Sequence, residues 1–175
     1  MKRIYLFISI FVLLSGIIFY SCNMLFPDDE LSQRVDYTGN NLRMDGYYYN
    51  YYEPNSTTVH FLYRNGIILR VSSFSTQNLA EIERSIDDYY KYFYNNKDHW
   101  GVFRIDGDKI QYEQYTSSVG GGLRAGRRSG YIENTTTFRI TENYYFSTKE
   151  THQVNDVWHF KQFANKPDST NVFIK

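Results

Sequence analysis

The chain has 175 residues, 19 Lys plus Arg against 19 Asp plus Glu, a single cysteine, and an aromatic set of 18 Tyr, 13 Phe and 2 Trp. Balanced charge excludes the basic footprint of a nucleic-acid binder. One cysteine excludes an intrachain disulfide and a thiolate zinc site, so the fold has to rest on a packed core.

The N-terminus has a three-part layout: Lys2-Arg3, an apolar run from Ile4 to Tyr20, and then the small residue Ser21 before Cys22. That is the arrangement of a secretory signal. The stretch Phe19-Tyr20-Ser21-Cys22 resembles a bacterial lipobox, which reads Leu, a small residue, Gly/Ala/Ser, then Cys. Ser21 and Cys22 fit that pattern; Phe19 and Tyr20 are bulkier than it. The resemblance implies cleavage before Cys22, acylation of Cys22 with palmitate-type chains, and a lipid anchor in the bacterial cell envelope. Asn23, where Asp is the usual inner-membrane retention signal, points to the outer membrane. The alternative is an N-terminal transmembrane anchor, because the apolar run sits at the short end of the roughly 17–25 residues that cross a bilayer as a helix. The chain thus divides into a signal peptide (1–21), a tether rich in acidic residues, Gly and Asn (22–41), one domain (42–164) and a C-terminal tail (165–175).

Within the domain, Tyr47 to Tyr52 reads as a strand that is aromatic on both faces, with Tyr47, Tyr49 and Tyr51 on one side. Val59 to Tyr63 and Ile67 to Phe74 flank Asn65-Gly66, a strong hairpin signal. Asn78, followed three residues later by Glu81, opens a helix over about 78–95 whose core stripe is Leu79, Ile82, Ile86, Tyr90 and Phe93. His99 to Ile105 and Lys109 to Tyr115 alternate around Asp106-Gly107, a second hairpin. Gly120 to Gly130 reads as a break. Tyr131 to Ile140, Asn143 to Thr148 and Val157 to Phe163 then supply three more strands, and Val172-Phe173-Ile174 are apolar enough to pack.

With no helix between most successive strands, the expectation is an α+β, mainly β fold: an antiparallel Tyr-rich sheet or small barrel of about eight strands with one packed helix. Trp100-Gly101-x-Phe103 followed by Asp106-Gly107-Asp108 resembles small lipocalin-like or calycin-like β-domains, which implies a barrel with a ligand mouth. The helix after the third strand departs from the usual lipocalin order and is expected either across a sheet face or plugging a barrel end.

No enzyme signature emerges. Gly121 to Arg128 nearly spells a phosphate-binding loop, but Arg127 and Arg128 stand where Lys and Ser or Thr are needed. What remains is an anion-binding edge of Arg124, Arg127 and Arg128. His60, His99, His152 and His159 show no metal-ligand spacing, and Asp106 and Asp108 are explained by turn chemistry. No cofactor and no metal site is expected. The function expected is non-enzymatic: a membrane-tethered envelope lipoprotein that binds a small ligand, a glycan or an envelope protein partner through an aromatic surface. Trp100, Tyr47, Tyr49 and Tyr51 are the contact candidates. A structural or assembly subunit and a hydrolase with an unsignalled site are the alternatives.

Overall fold

A computed structural model of the chain describes residues 27–52, 55–119 and 122–175. The signal, the lipobox and Cys22 lie outside the described residues. The domain is a closed barrel of eight antiparallel strands in simple up-and-down order. They are β1 (Gly46–Tyr52), β2 (Ser56–Leu62), β3 (Ile67–Phe74), β4 (Trp100–Asp106), β5 (Lys109–Val119), β6 (Gly122–Asn134), β7 (Thr137–Tyr145) and β8 (Thr151–Gln162), with one helix, α1 (Leu79–Asn95), between β3 and β4. A single 3-10 turn, Lys97–His99, leads from the helix into β4. The expected class, strand number and single helix all hold. Closure of β1 onto β8, through Gly46–Tyr49 and His159–Gln162, gives every strand of the wall a hydrogen-bonded neighbour on each side.

Alternation along each strand explains the two separate cores. One face of β1 to β4 points outward and is covered by the helix: Tyr47, Val59, Phe61, Leu69, Val71 and Trp100 pack with Ile82, Ile86 and Phe93. The other face points into the barrel, where Tyr48, Leu62, Ile68, Phe103, Ile110, Phe138 and Ile140 fill one end. Each buried large apolar side chain contributes about 1.5–3 kcal/mol, so helix and wall hold each other. The helix therefore lies on the outside of the barrel and plugs neither end. Asn78 caps it by accepting from the Ala80 N–H at 3.1 Å, and donates its side-chain amide to Glu81 at 3.1 Å.

Residues 27–42 and 165–175 both belong to the folded unit. Residues expected as a tether are bound to the barrel from Pro27 onward. The Asp29 N–H donates to the Leu123 carbonyl at 2.8 Å, and the Asp28 and Asp29 carboxylates accept from the Leu123 and Ala125 N–H groups at 2.8 Å. The segment then crosses the outer wall, where the Ser32 backbone N–H and hydroxyl both donate to the Glu113 carboxylate at 2.7 and 3.0 Å. It ends by closing the packed end of the barrel with buried Tyr37 and Leu42, the Leu42 N–H donating to the Tyr37 hydroxyl at 3.0 Å. The tail returns to the same end: Lys166 Nζ donates to the Met44 and Leu62 carbonyls at 2.5 and 2.6 Å. Phe173 and Ile174 pack against the helix-side core.

Gly66 is fixed twice over. Its φ of +75° belongs to the β2–β3 turn, and a Cβ there would lie 2.3 Å from the Val35 carbonyl oxygen of the crossing segment. The left-handed conformation alone costs a non-glycine residue about 1–2 kcal/mol, and the backbone contact adds to it. Gly66→Ala is expected to lower the urea midpoint by the equivalent of about 2 kcal/mol or more. It should also speed proteolysis within residues 27–42, because the crossing segment must lift.

The second half of the barrel differs from the sequence reading. The stretch read as a break, Gly120 to Gly130, is mostly strand: β5 and β6 form one long hairpin whose pairing runs to Val119–Gly122. Tyr131 to Ile140, read as one strand, is instead the end of β6, a turn and the start of β7. The turn is made by Asn134, whose side-chain oxygen accepts from the Thr136 N–H at 2.9 Å.

Candidate functional site

The barrel is packed at one end and hollow at the other. Its open end is where β1 ends and β2 begins, where the β5–β6 and β7–β8 hairpins turn, and where the 3-10 turn sits. A cavity of about 520 Å³ opens there, lined chiefly by Tyr52, His60, Arg70, Tyr112, Gln114, Arg128 and Trp158, with Asp98, His99 and Tyr92 at the rim. That volume lies within the range of about 300–1,000 Å³ typical of small-molecule sites, and an eight-stranded barrel is just wide enough to hold one such ligand.

Strand register brings these residues together. His60 stands opposite Arg70, Gly101 opposite Gln114, and Tyr112 opposite Arg128. Gly101 has no side chain to compete for the space: a Cβ there would lie 2.5 Å from Gln114 Cγ and 2.2 Å from the Glu113 carbonyl oxygen. Three rings stack in file across the floor. His60 lies on Trp158 at 4.2 Å and 16°, and Trp158 is parallel to Phe138 at 5.8 Å and 9°.

The chemistry of this wall sets it apart from the packed end. Gln114 is fully buried, yet neither its amide nitrogen nor its oxygen has a hydrogen-bond partner. The Trp158 indole N–H and His60 Nδ1 are likewise buried and unpartnered. Leaving a buried polar group unsatisfied costs about 1–3 kcal/mol each, so four such atoms on three residues that line one cavity demand an explanation. Burial, reinforced by Arg128 and Arg70, holds the His60 pKa well below its ordinary value, so this imidazole is neutral. Burial, then the neighbouring Arg128, also lowers the Arg70 pKa. At the mouth the Tyr52 hydroxyl, pushed up to about 12 by burial and by Asp156, donates to the Asp156 carboxylate at 3.3 Å.

The residues singled out from sequence fall in different places. Tyr47, Tyr49 and Tyr51 line up on the outer face of β1, from fully buried Tyr47 to exposed Tyr51. Trp100 is fully buried beneath the helix, its indole N–H donating to the Tyr94 carbonyl at 2.9 Å. None of the four lines the cavity. The arginine trio is split by strand alternation. Arg124 bonds the Pro27 carbonyl and Asp29, Arg127 bonds Glu113 at 2.8 Å, and Arg128 alone of the three lines the cavity. His60, Arg70, Gln114 and Trp158 were not singled out. The available signal was the polar His60 and Thr58 alternating with Val59 and Phe61, which marks a polar inner face on a strand whose outer face is apolar.

Comparison with family models, with curated proteins and with solved structures returned no match. The reading of the cavity therefore rests on its own geometry.

Proposed function

We propose that this chain is a non-enzymatic, lipid-anchored protein of the bacterial envelope that binds a small ligand in the open end of its barrel, in the manner of lipocalin-like domains. The observation that carries the reading is the set of buried, unpartnered polar atoms on Gln114, His60 and Trp158 around one cavity. A fold that needed only stability would fill this end as it fills the other, with Leu, Ile and Phe. A rotation of these side chains toward the cavity would let polar groups of a bound molecule satisfy them. Aromatic rings remain central to the proposal, with the stacked His60–Trp158–Phe138 file taking the place of an outer Tyr surface.

The docking of residues 27–29 supports a link between the proposed anchor and the cavity. Pro27 and Asp28 dock beside Leu123 at the open end, through the Arg124 bond to the Pro27 carbonyl and the Leu123 bond to Asp28. Five peptide steps separate Pro27 from Cys22, at most about 18 Å of extended chain. An acylated Cys22 thus holds the open end toward the membrane, and the ligand is taken up close to the bilayer surface.

Native mass spectrometry of the full chain extracted from a bacterial envelope tests the binding reading. A retained adduct of defined mass, lost in a Gln114→Leu/His60→Phe variant that still folds, is the expected result. A bare protein mass, with a stoichiometric protein partner recovered instead, would replace the reading with an assembly role.

A further inference from the structure

Resting on the reading of the cavity as a binding site, the arrangement of charge inside it specifies the ligand class. We propose that the cavity receives a small organic anion, a carboxylate or a phosphate monoester, whose charged group is held between Arg70 and Arg128 and whose body lies along the His60–Trp158 stack.

Two arginines in one hollow are unfavourable without a counter-charge: each loses solvation and each repels the other. Most other arginines in this barrel have found partners. Arg124, Arg127, Arg43 and Arg139 all sit in ion pairs with carboxylates. Among the described residues no ion pair reaches Arg70 or Arg128. Arg70 donates one Nη2 bond to the Asp98 carbonyl at 3.1 Å, and Arg128 lies 5.7 Å from the centre of the Tyr112 ring. Most of the forked donor capacity of both guanidinium groups is therefore unused, and such forks match carboxylate and phosphate oxygens.

The remaining groups around the cavity agree. His60 is neutral and adds no charge of its own. His99, at the rim, has its Nδ1 against the Arg70 carbonyl at 2.7 Å, and burial lowers its pKa as well. The two acidic side chains nearby, Asp98 and Asp156, stand at the mouth, and Asp156 is engaged by Tyr52. They leave the arginines unpaired while disfavouring a second negative charge at the mouth, so the ligand carries its charge at one end. The Trp158 N–H and the Gln114 amide supply an additional donor pair and an acceptor, suited to a neutral polar substituent such as a hydroxyl or amide.

The two tryptophans give an internal control, since Trp158 lies in the cavity and Trp100 lies outside it under the helix. The full chain in detergent micelles, labelled with 5-fluorotryptophan, is titrated with benzoate, with phenyl phosphate and with uncharged benzyl alcohol. Benzoate or phenyl phosphate is expected to move the Trp158 fluorine signal saturably and leave the Trp100 signal in place. Benzyl alcohol should bind about tenfold more weakly or worse, and Arg128→Gln should cost the anion about tenfold in affinity while leaving benzyl alcohol unchanged. Because Arg128→Gln relieves repulsion of Arg70, its melting temperature should equal or exceed that of the wild type, a result that a purely structural arginine would not give. Arg70→Gln provides the same comparison from the other side of the cavity. Benzyl alcohol binding as tightly as benzoate, or both arginine variants retaining full benzoate affinity, overturns the anion class while keeping the cavity as a binding site. Absence of any Trp158 shift with all three probes, together with a bare native mass, overturns both.

Discussion

Trp100→Ala should destabilise this domain by about 3–5 kcal/mol, the range for truncating a large buried aromatic. Trp100 has no exposed surface, stands opposite Leu69 in the wall, meets the Tyr94 ring edge-on at 5.5 Å, and donates its N–H to the Tyr94 carbonyl at 2.9 Å. It is thus the seam between the barrel and the last turn of the helix. Against a total stability of about 5–15 kcal/mol for a domain, the loss is large enough to leave the helix detached or the chain unfolded near 37 °C. A chemical denaturation curve measures the loss, and protease cutting within Leu79–Asn95 reports the detachment. Trp100→Phe should cost less, about 1–3 kcal/mol, for the lost hydrogen bond and the part of the indole that Phe does not fill. Trp158→Phe makes the informative contrast. It removes an N–H that has no partner and keeps a ring between His60 and Phe138, so it is expected to cost less than Trp100→Phe, which also loses a hydrogen bond. If Trp158→Phe proves as costly as Trp100→Ala, the unpartnered indole N–H is not a liability to the fold.

Raising the pH above about 10 should unfold the protein cooperatively, driven by buried phenols. Tyr47, Tyr48 and Tyr112 are at most 1% exposed, and in each case burial is the largest cause raising the pKa well above the ordinary 10.0. The unfolded chain ionises these groups through pH 10 and the folded chain does not, so the folded state holds more protons and stability falls as pH rises above that point. Each such group costs about 1.4 kcal/mol per pH unit. Three together cost about 4 kcal/mol per unit, enough to cross zero stability between about pH 11 and 14 for a domain of ordinary stability. Lys166 acts in the opposite sense over a lower window. Burial lowers it from 10.5 to about 8, so the unfolded chain binds the extra proton between these values and stability rises slightly there. The expected profile is a shallow rise from about pH 8 followed by collapse above 10. Phenolate absorbance should show a sharp step coincident with loss of circular dichroism. Ionisation of every tyrosine in one smooth step near pH 10 while the fold stays intact would contradict the burial of these rings.

Much of the wall was legible because local chemistry and tertiary structure agree there. Asn65-Gly66 and Asp106-Gly107 turn where their glycines adopt φ of +75° and +60°. The Asn78–Glu81 start and the Ile82, Ile86, Phe93 stripe define the helix the structure contains. Past Gly120 the local signals mislead. Gly126 and Gly130 lie inside β6, where a Cβ on Gly130 would come within 1.8 Å of the Arg139 carbonyl oxygen, so this glycine marks a close approach of two strands. The β6–β7 turn carries neither Gly nor Pro, and only Asn134 announces it.

The cavity was harder to see for a physical reason. On β1 and β2 both faces are buried, one under the helix and one inside the barrel, so hydrophobic alternation does not say which side is inward. Tyr47 and Tyr48 have equal burial and opposite surroundings. Only closure of the barrel and its register set His60 against Arg70 and Tyr112 against Arg128, and separate Arg128 from Arg127. The two residue types most informative about binding, an unpartnered Gln and a pair of unpaired Arg, carry no spacing signature at all.

A crystal structure of the full chain extracted from its native envelope, without exchange into competing anions, bears on the binding site most directly. Density for a bound molecule bridging Arg70 and Arg128 and reaching Gln114 or the Trp158 indole is the result expected. A cavity holding only solvent, with Gln114 and His60 rotated to bond one another or the wall, would show that the polar interior satisfies itself and that the open end of the barrel is not a binding site.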